Sequence, residues 1–260
     1  MCFAGYKLRL AIAAFILGGL QPLAAGEARI AVAANFAPAL RAIADNFSAS
    51  SGHDIVLSPG STGKHYAQII NGAPFDAFFS ADAARPMKLE QDGLAEGRYT
   101  YAIGRLVLWS PAPGLIDPEA KILATASFRF LAIANPELAP YGKAAQETLT
   151  RLGLWEQMQP RLVRGENINQ AFQFVASGNA ELGFVAKSQL KNSRGMDAGS
   201  YWEVPAEFHA PIEQQAVLLS DSVIARAFMD YVKSAAGRDL ISQYGYDLPM
   251  NAQAQTDADR

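Results

Sequence analysis

Short apolar runs that alternate with stretches of helical spacing constrain this chain more than any other feature. RIAVA (29–33), DIVL (54–57), FDAFF (75–79), RLVLW (105–109), FLAIA (130–134), LGFV (182–185) and QAVLL (215–219) have the length and side-chain type of strands. Between them, Leu40, Ile43, Ala44 and Phe47 recur on one helical face, as do Ala145, Leu149 and Leu152, and then Phe172, Val175 and Ala176. Gly72, Gly153 and Gly178 stand where helices should stop. The run from Ser222 to Lys233 predicts a further helix ending near Gly237. This alternation predicts an α/β fold with largely parallel sheets. A strand, a polar turn and a helix follow one another over 29–70 and again over 130–177, an architectural repeat without a sequence repeat. SPAPGLIDPEA (110–120) predicts a surface loop at a lobe boundary, and the polar tail NAQAQTDADR predicts disorder.

The start of the chain has a different character. Lys7 and Arg9 precede an apolar run from Leu10 to Leu20, followed by the small residues Ala24, Ala25 and Gly26. That order predicts a secretory signal peptide over 1–26, cleaved near Gly26 or Ala28. The apolar run is about half the roughly 20 residues that a transmembrane helix needs. The one cysteine, Cys2, lies inside this leader, so the mature chain is expected to carry no disulfide or thiolate chemistry. A soluble periplasmic protein of about 230 residues is expected, enough for one large domain or two modest lobes. The net charge of −3, without basic clusters, argues against nucleic acid as a partner.

Residues 58–69, SPGSTGKHYAQI, look like a phosphate-binding loop but are not one. That loop needs Gly, four residues, then Gly-Lys-Ser/Thr; here Ser58 stands at the first position and His65 follows Lys64. What remains is a strand giving way to a helix through Gly60, Ser61, Thr62 and Gly63, and the unpaired N–H groups of a helix start attract anions. Lys64 and His65 read most simply as a solvated first turn. Three more junctions have the same form: AANFAPAL, where Asn35 can cap a helix that Pro38 helps to start; ANPELAPYGKAA, with Pro140, Tyr141 and Gly142; and GENINQAF, with Asn167, Ile168 and Asn169. Any one of them alone is an ordinary cap. Together they would lie beyond the carboxyl ends of the strands, where open α/β sheets bind ligands, two from each half facing across a cleft.

Catalytic patterns are absent from the sequence. His53, His65 and His209 have no metal-ligand spacing, and GSTG does not fit a nucleophile elbow. The carboxylates Asp76, Asp82 and Asp92 read as capping or surface groups. The expectation is a binding protein rather than an enzyme, with an exported phosphate or sulfate ester hydrolase as the remote alternative.

The stretch from AVAANFAPAL through GSTGKHYAQIINGAPFDAFFSAD, then YAIGRLVLWSP, ANPELAPYG and ELGFVA in order, resembles the periplasmic molybdate-binding proteins of ABC uptake systems. The resemblance runs from about Arg29 to Pro249. It implies a two-lobed type II periplasmic binding protein fold, with a mostly parallel sheet flanked by helices in each lobe and the ligand cleft between lobes. The implied lobes are 27–104 with 213–260, and 105–212. The implied ligand is molybdate, with tungstate expected to bind too, and the implied partner is the membrane permease of an ABC transporter; a monomer without cofactor is expected. A receptor for sulfate or another tetrahedral oxyanion is the alternative.

Carried over position by position, the resemblance places the oxyanion against Asn35 with the backbone N–H of Ala34 or Asn35, against Ser61 and Thr62, against Tyr141, and against the N–H of Ile168. One departure matters: some members place a tyrosine ligand where this chain has Ala186, in GFVAKSQ, and Tyr141 is expected to take its place. The chemistry is consistent. A fully ionised tetrahedral dianion needs donors only, whereas phosphate carries a proton near neutral pH and favours a carboxylate acceptor. Hydrogen bonds to a charged partner contribute roughly 1.5–3 kcal/mol each. Half a dozen could exceed roughly 10 kcal/mol gross, which closure and desolvation would reduce to micromolar or tighter binding.

Overall fold

A computed structural model describes residues 26–193 and 199–249. The leader ahead of Gly26 and the tail 251–260 lie outside the described residues. The chain begins β1 (Glu27–Ala33), α1 (Ala37–Ser51), β2 (Asp54–Gly60), α2 (Thr62–Ile70), β3 (Ala77–Ser80), α3 (Ala84–Gln91) and β4 (Glu96–Gly104). It continues with β5 (Leu106–Ser110), α4 (Ile122–Thr125), β6 (Leu131–Ala134), α5 (Pro140–Arg151), α6 (Trp155–Met158), β7 (Leu162–Gly165), α7 (Ile168–Ala176), β8 (Leu182–Ala186), α8 (Lys187–Asn192) and β9 (Ser200–Glu203). It closes with β10 (Ile212–Leu218), α9 (Val223–Lys233) and α10 (Ala235–Gln243).

These strands form two five-stranded sheets, β2-β1-β3-β10-β4 and β7-β6-β8-β5-β9. In the first, β1 is parallel to β2 and β3, and β10 runs antiparallel to both β3 and β4. In the second, β6 is parallel to β7 and β8, and β5 runs antiparallel to both β8 and β9. Each sheet therefore has one reversed strand in the same place, and that strand is the first one formed after the chain crosses between sheets. The architectural repeat is a repeat of topology.

Burial explains which strands were legible. β1 and β3 are central and covered on both faces: Ile30 and Val32 pack with α1, while Ala31, Phe78 and Val217 pack on the other side with Ile69 and Leu89. Sequence patterning misses β4, β7 and β9. All three are edge strands, where polar residues are tolerated and pairing is one-sided; the first three residues of β4 are exposed.

Gly72, Gly153 and Gly178 take positive φ of 83°, 72° and 76° just beyond α2, α5 and α7, as their positions predict. Gly237 does not end a helix: α9 stops at Lys233, Ser234 caps a new helix by accepting from Gly237 N–H, and Gly237 lies inside α10. Asn35 does not cap α1. Phe36 occupies the cap position, makes no side-chain cap bond, and is wholly buried, its ring centroid 4.4 Å from that of Tyr101 and 5.3 Å from that of Tyr246. A cap contributes about 1 kcal/mol, and burying a phenylalanine about 1.5–3 kcal/mol, so packing decides the start of α1. The 110–120 loop is also placed differently. It follows β5 inside the second lobe, with Ile116 and Ala120 buried, and the outward crossing is the single residue Arg105 between β4 and β5. A crossing that continues an extended chain needs no Pro/Gly linker.

Candidate functional site

All six residues singled out on the sequence line one small cavity between the sheets. Its wall comprises Ala34 and Asn35 after β1, Ser61 and Thr62 after β2, Tyr141 in the first turn of α5, and Ile168 opening α7, with Ala81 and Ala139 beside them. Its volume is about 10 Å³, roughly the room that one water-sized body needs. Each side chain or backbone group is positioned by a strand-to-helix junction, two in each lobe.

The donors divide into committed and uncommitted groups. Ala34 N–H donates to Gly60 O at 2.8 Å, so of the Ala34/Asn35 pair only Asn35 retains a backbone donor; Gly63 N–H donates to Leu138 O at 2.8 Å. Lys64 N–H goes to the Ser61 hydroxyl, and the N–H groups of Asn169 and Gln170 go to the Asn167 side chain that caps α7. Among the described residues, the backbone N–H groups of Asn35, Thr62, Tyr141 and Ile168 donate to no other protein atom. Each opens or precedes a helix whose dipole favours negative charge. Hydroxyls complete the set. Ser61 Oγ accepts from Lys64 at 3.4 Å and Thr62 Oγ1 accepts from Ala81 N–H at 3.1 Å, which leaves both hydrogens available.

Three details correct the sequence reading. The Asn35 side chain is turned away from a simple ligand role: its Nδ2 donates to Gln214 Oε1 at 2.7 Å and to the Tyr246 hydroxyl at 3.2 Å. His65 is buried rather than solvated. Its Nδ1 lies 3.1 Å from Gln68 Oε1, its ring meets Phe75 and Phe78 edge-on, and burial pushes its pKa below the ordinary value. Lys64, read as a solvated bystander, forms an ion pair with Glu166 of the opposite lobe. Ala186 behaves as expected of an alanine there: it lies outside the cavity wall, and its N–H is held by Gln189 Oε1 at 3.0 Å.

Electrostatically the cavity presents donors without carboxylates. Burial raises the Tyr141 hydroxyl well above the ordinary tyrosine pKa, with Tyr246 as a further cause, so it stays protonated and able to donate. The lobes meet closely around it. Besides the Gly63–Leu138 bond and the Lys64–Glu166 pair, Asn169 Nδ2 donates to Ala34 O at 3.1 Å and Arg85 Nη2 to Glu137 O at 3.0 Å. Each of these contacts except the last involves a residue adjacent to one in the cavity wall.

Sequence reasoning missed Gln214. It is completely buried in β10 and joins Asn35 to Tyr101, whose hydroxyl lies 3.3 Å from Gln214 Oε1. The available signal was a pair of glutamines, Gln214 and Gln215, leading directly into the apolar run AVLL (216–219).

Two lobes of the same topology, joined by crossing strands and meeting at a small cavity rich in hydrogen-bond donors and free of carboxylates, define a binding protein of the two-lobed class. Comparison with known proteins places it more narrowly: residues 28–247 match the model of the family described as bacterial extracellular solute-binding protein, and the chain belongs to that family. It is 45% identical to the molybdate-binding protein ModA of Azotobacter vinelandii over 95% of this chain and 100% of that one. It is 43% identical to ModA of Rhodobacter capsulatus over 90% and 93% of the two chains. The solved Azotobacter vinelandii periplasmic molybdate-binding protein superposes with a TM-score of 0.82 at 43% identity, covering 86% of this chain and all of that one.

Proposed function

We propose that this chain is a periplasmic receptor that captures molybdate, and tungstate with it, between lobes 27–104 with 213–260 and 105–212, and delivers it to the membrane permease of an ABC transporter. It acts as an exported monomer without cofactor. The observation that carries the reading is the donor set: the free N–H groups of Asn35, Thr62, Tyr141 and Ile168 and the hydroxyls of Ser61, Thr62 and Tyr141 surround one cavity with no carboxylate in its wall. Relatives named for molybdate, aligned over nearly their whole length, support the choice of anion.

Capture in this reading follows from the division of the site. A ligand can drive closure only if it contacts the closed state better than the open one. Asn35, Ser61 and Thr62 lie in one lobe and Tyr141 and Ile168 in the other, so a bound dianion gains its full set of donors only when the lobes meet.

Calorimetric titration with molybdate, tungstate, sulfate and phosphate tests the reading. Molybdate and tungstate are expected to bind with dissociation constants in the micromolar range or below, and phosphate weakly. Tighter binding of sulfate than of molybdate would overturn the assignment.

A further inference from the structure

Gln214 lies behind the cavity, and its surroundings fix the direction of a chain of hydrogen bonds. The chain starts at the backbone carbonyl of Asn35, which can only accept. The Tyr246 hydroxyl donates to it at 2.7 Å, so that hydroxyl has no second hydrogen to give. The group of the Asn35 side chain that faces Tyr246 must then be its donor, Nδ2, at 3.2 Å. The same Nδ2 lies 2.7 Å from the Gln214 side chain, which must present its acceptor, Oε1.

That orientation leaves Gln214 Nε2 on the far side of the amide. It is buried with no hydrogen-bond partner, and the Tyr141 hydroxyl is its neighbour across Gly104. Gly104, the last residue of β4, gives both groups room: a Cβ there would lie 2.2 Å from the Tyr141 hydroxyl oxygen and 3.1 Å from Gln214 Nε2. An amide nitrogen cannot accept a proton, so a phenol facing it must direct its own hydrogen elsewhere. The open direction is the cavity that Tyr141 lines.

We propose that Gln214 is a positioning residue for oxyanion capture, orienting the Tyr141 hydroxyl so that it offers its hydrogen, and not a lone pair, to the bound anion. The inference rests on the oxyanion reading of the cavity. It also links the lobes, because Gln214, Asn35 and Tyr246 belong to the first lobe and Tyr141 to the second, so the amide and the phenol adjoin across the cleft.

The test is a molybdate titration of the purified protein and three variants at pH 8 and at pH 5, with unliganded melting temperatures recorded alongside. Gln214→Glu replaces the donor by a carboxylate that would accept the Tyr141 proton and reverse it. Its affinity is expected to fall at least about 100-fold relative to wild type at pH 8 and to recover in part at pH 5, because a buried glutamic acid takes up a proton above its ordinary pKa and regains an O–H donor. Gln214→Met, which keeps the volume and removes both polar atoms, is expected to weaken binding about 10-fold at both pH values. Combining it with Tyr141→Phe should cost no more than Tyr141→Phe alone, the non-additivity of residues acting as one unit. Wild-type affinity in Gln214→Glu at pH 8, an equal loss at both pH values, or additive losses in the double variant would overturn the proposal. Failure of the wild type to bind any oxyanion would overturn the site reading and this proposal together, whereas binding by the wild type with an indifferent Gln214 removes this proposal alone. If Gln214→Glu does not fold, Gln214→Met and the double variant still decide it.

Discussion

The backbone N–H of Gly63, in the first turn of α2, donates to the carbonyl of Leu138 in the opposite lobe at 2.8 Å. No side chain could stand at position 63 without disturbing this. A Cβ there would lie 3.0 Å from Leu138 Cα, 3.1 Å from Leu138 O and 3.2 Å from Arg85 Nη2, and the first two are backbone atoms that cannot swing aside. Gly63 follows Thr62 directly, so the point where the lobes touch is next to the point where the anion would be held. The glycine that gave this loop its misleading resemblance to a nucleotide site has a different reason to be there, which is closure.

Gly63→Ala should therefore weaken molybdate binding about 10-fold, or about 1.4 kcal/mol, within the usual range for forced overpacking. The melting temperature of the unliganded protein should hold or rise slightly, because alanine favours a helix over glycine by up to about 1 kcal/mol. Titration paired with a thermal melt separates the two effects. An unchanged dissociation constant would mean that the lobes do not need this approach.

Lys64 and Glu166 form a second interlobe contact beside the first, and both side chains are partly exposed. Exposed pairs contribute about 0.2–1 kcal/mol and are screened by salt. Lys64→Ala and Glu166→Ala are each expected to speed molybdate release by up to about 5-fold at low ionic strength, with the difference from wild type vanishing near about 0.5 M salt. Stopped-flow release rates check this. If only Lys64→Ala had an effect, and mainly on capture, the lysine would act by attracting the anion rather than by holding the lobes.

Thr62 separates a ligand role from a structural one. Its hydroxyl oxygen already accepts from Ala81 N–H at 3.1 Å, and its residue opens α2. Thr62→Ala should cost about 1–3 kcal/mol of molybdate affinity for the lost bond to a charged partner. Thr62→Ser retains the hydroxyl and should bind nearly as well as the wild type. Equal losses in both variants, measured by titration, would assign Thr62 to packing and remove it from the ligand set.

How much of this was legible in the sequence depended on the range of the interaction involved. Central strands such as β1 and β3 are buried on both faces, and their apolar runs declare them; the four helix-start junctions are local patterns, and all four meet in space. What the sequence concealed depends on partners far along the chain. Asn35 looks like a cap because caps are local, but its side chain answers to Gln214 and Tyr246, 179 and 211 residues away. His65 looks solvated beside Lys64, yet one points outward to Glu166 and the other inward beneath Gly60, whose missing Cβ leaves room for the ring at 2.7 Å. The direction of a side chain in the first turn of a helix is set by what packs over it, which a single strand of sequence does not display.

That buried imidazole carries a pH dependence whose sign can be worked out. Burial lowers the His65 pKa below 6.5, and the hydrogen bond to Gln68 offsets only part of the shift. The unfolded chain therefore takes up this proton at a higher pH than the folded protein does. Above the ordinary imidazole value both states are neutral and the contribution is constant; as pH falls below about 6.5 the unfolded state is favoured progressively, until the folded-state value is reached. Part of the loss of stability between neutral and mildly acid pH should thus belong to His65. His65→Phe keeps an aromatic ring against Phe75 and Phe78, and Gln68 is exposed enough to turn to water. Denaturant unfolding at pH 7.5 and at pH 5, a span chosen to bracket the imidazole range of about 6.5, is expected to show a smaller drop in stability for the variant than for the wild type. An equal drop in both would assign the acid sensitivity to the carboxylates and leave His65 as a packing residue.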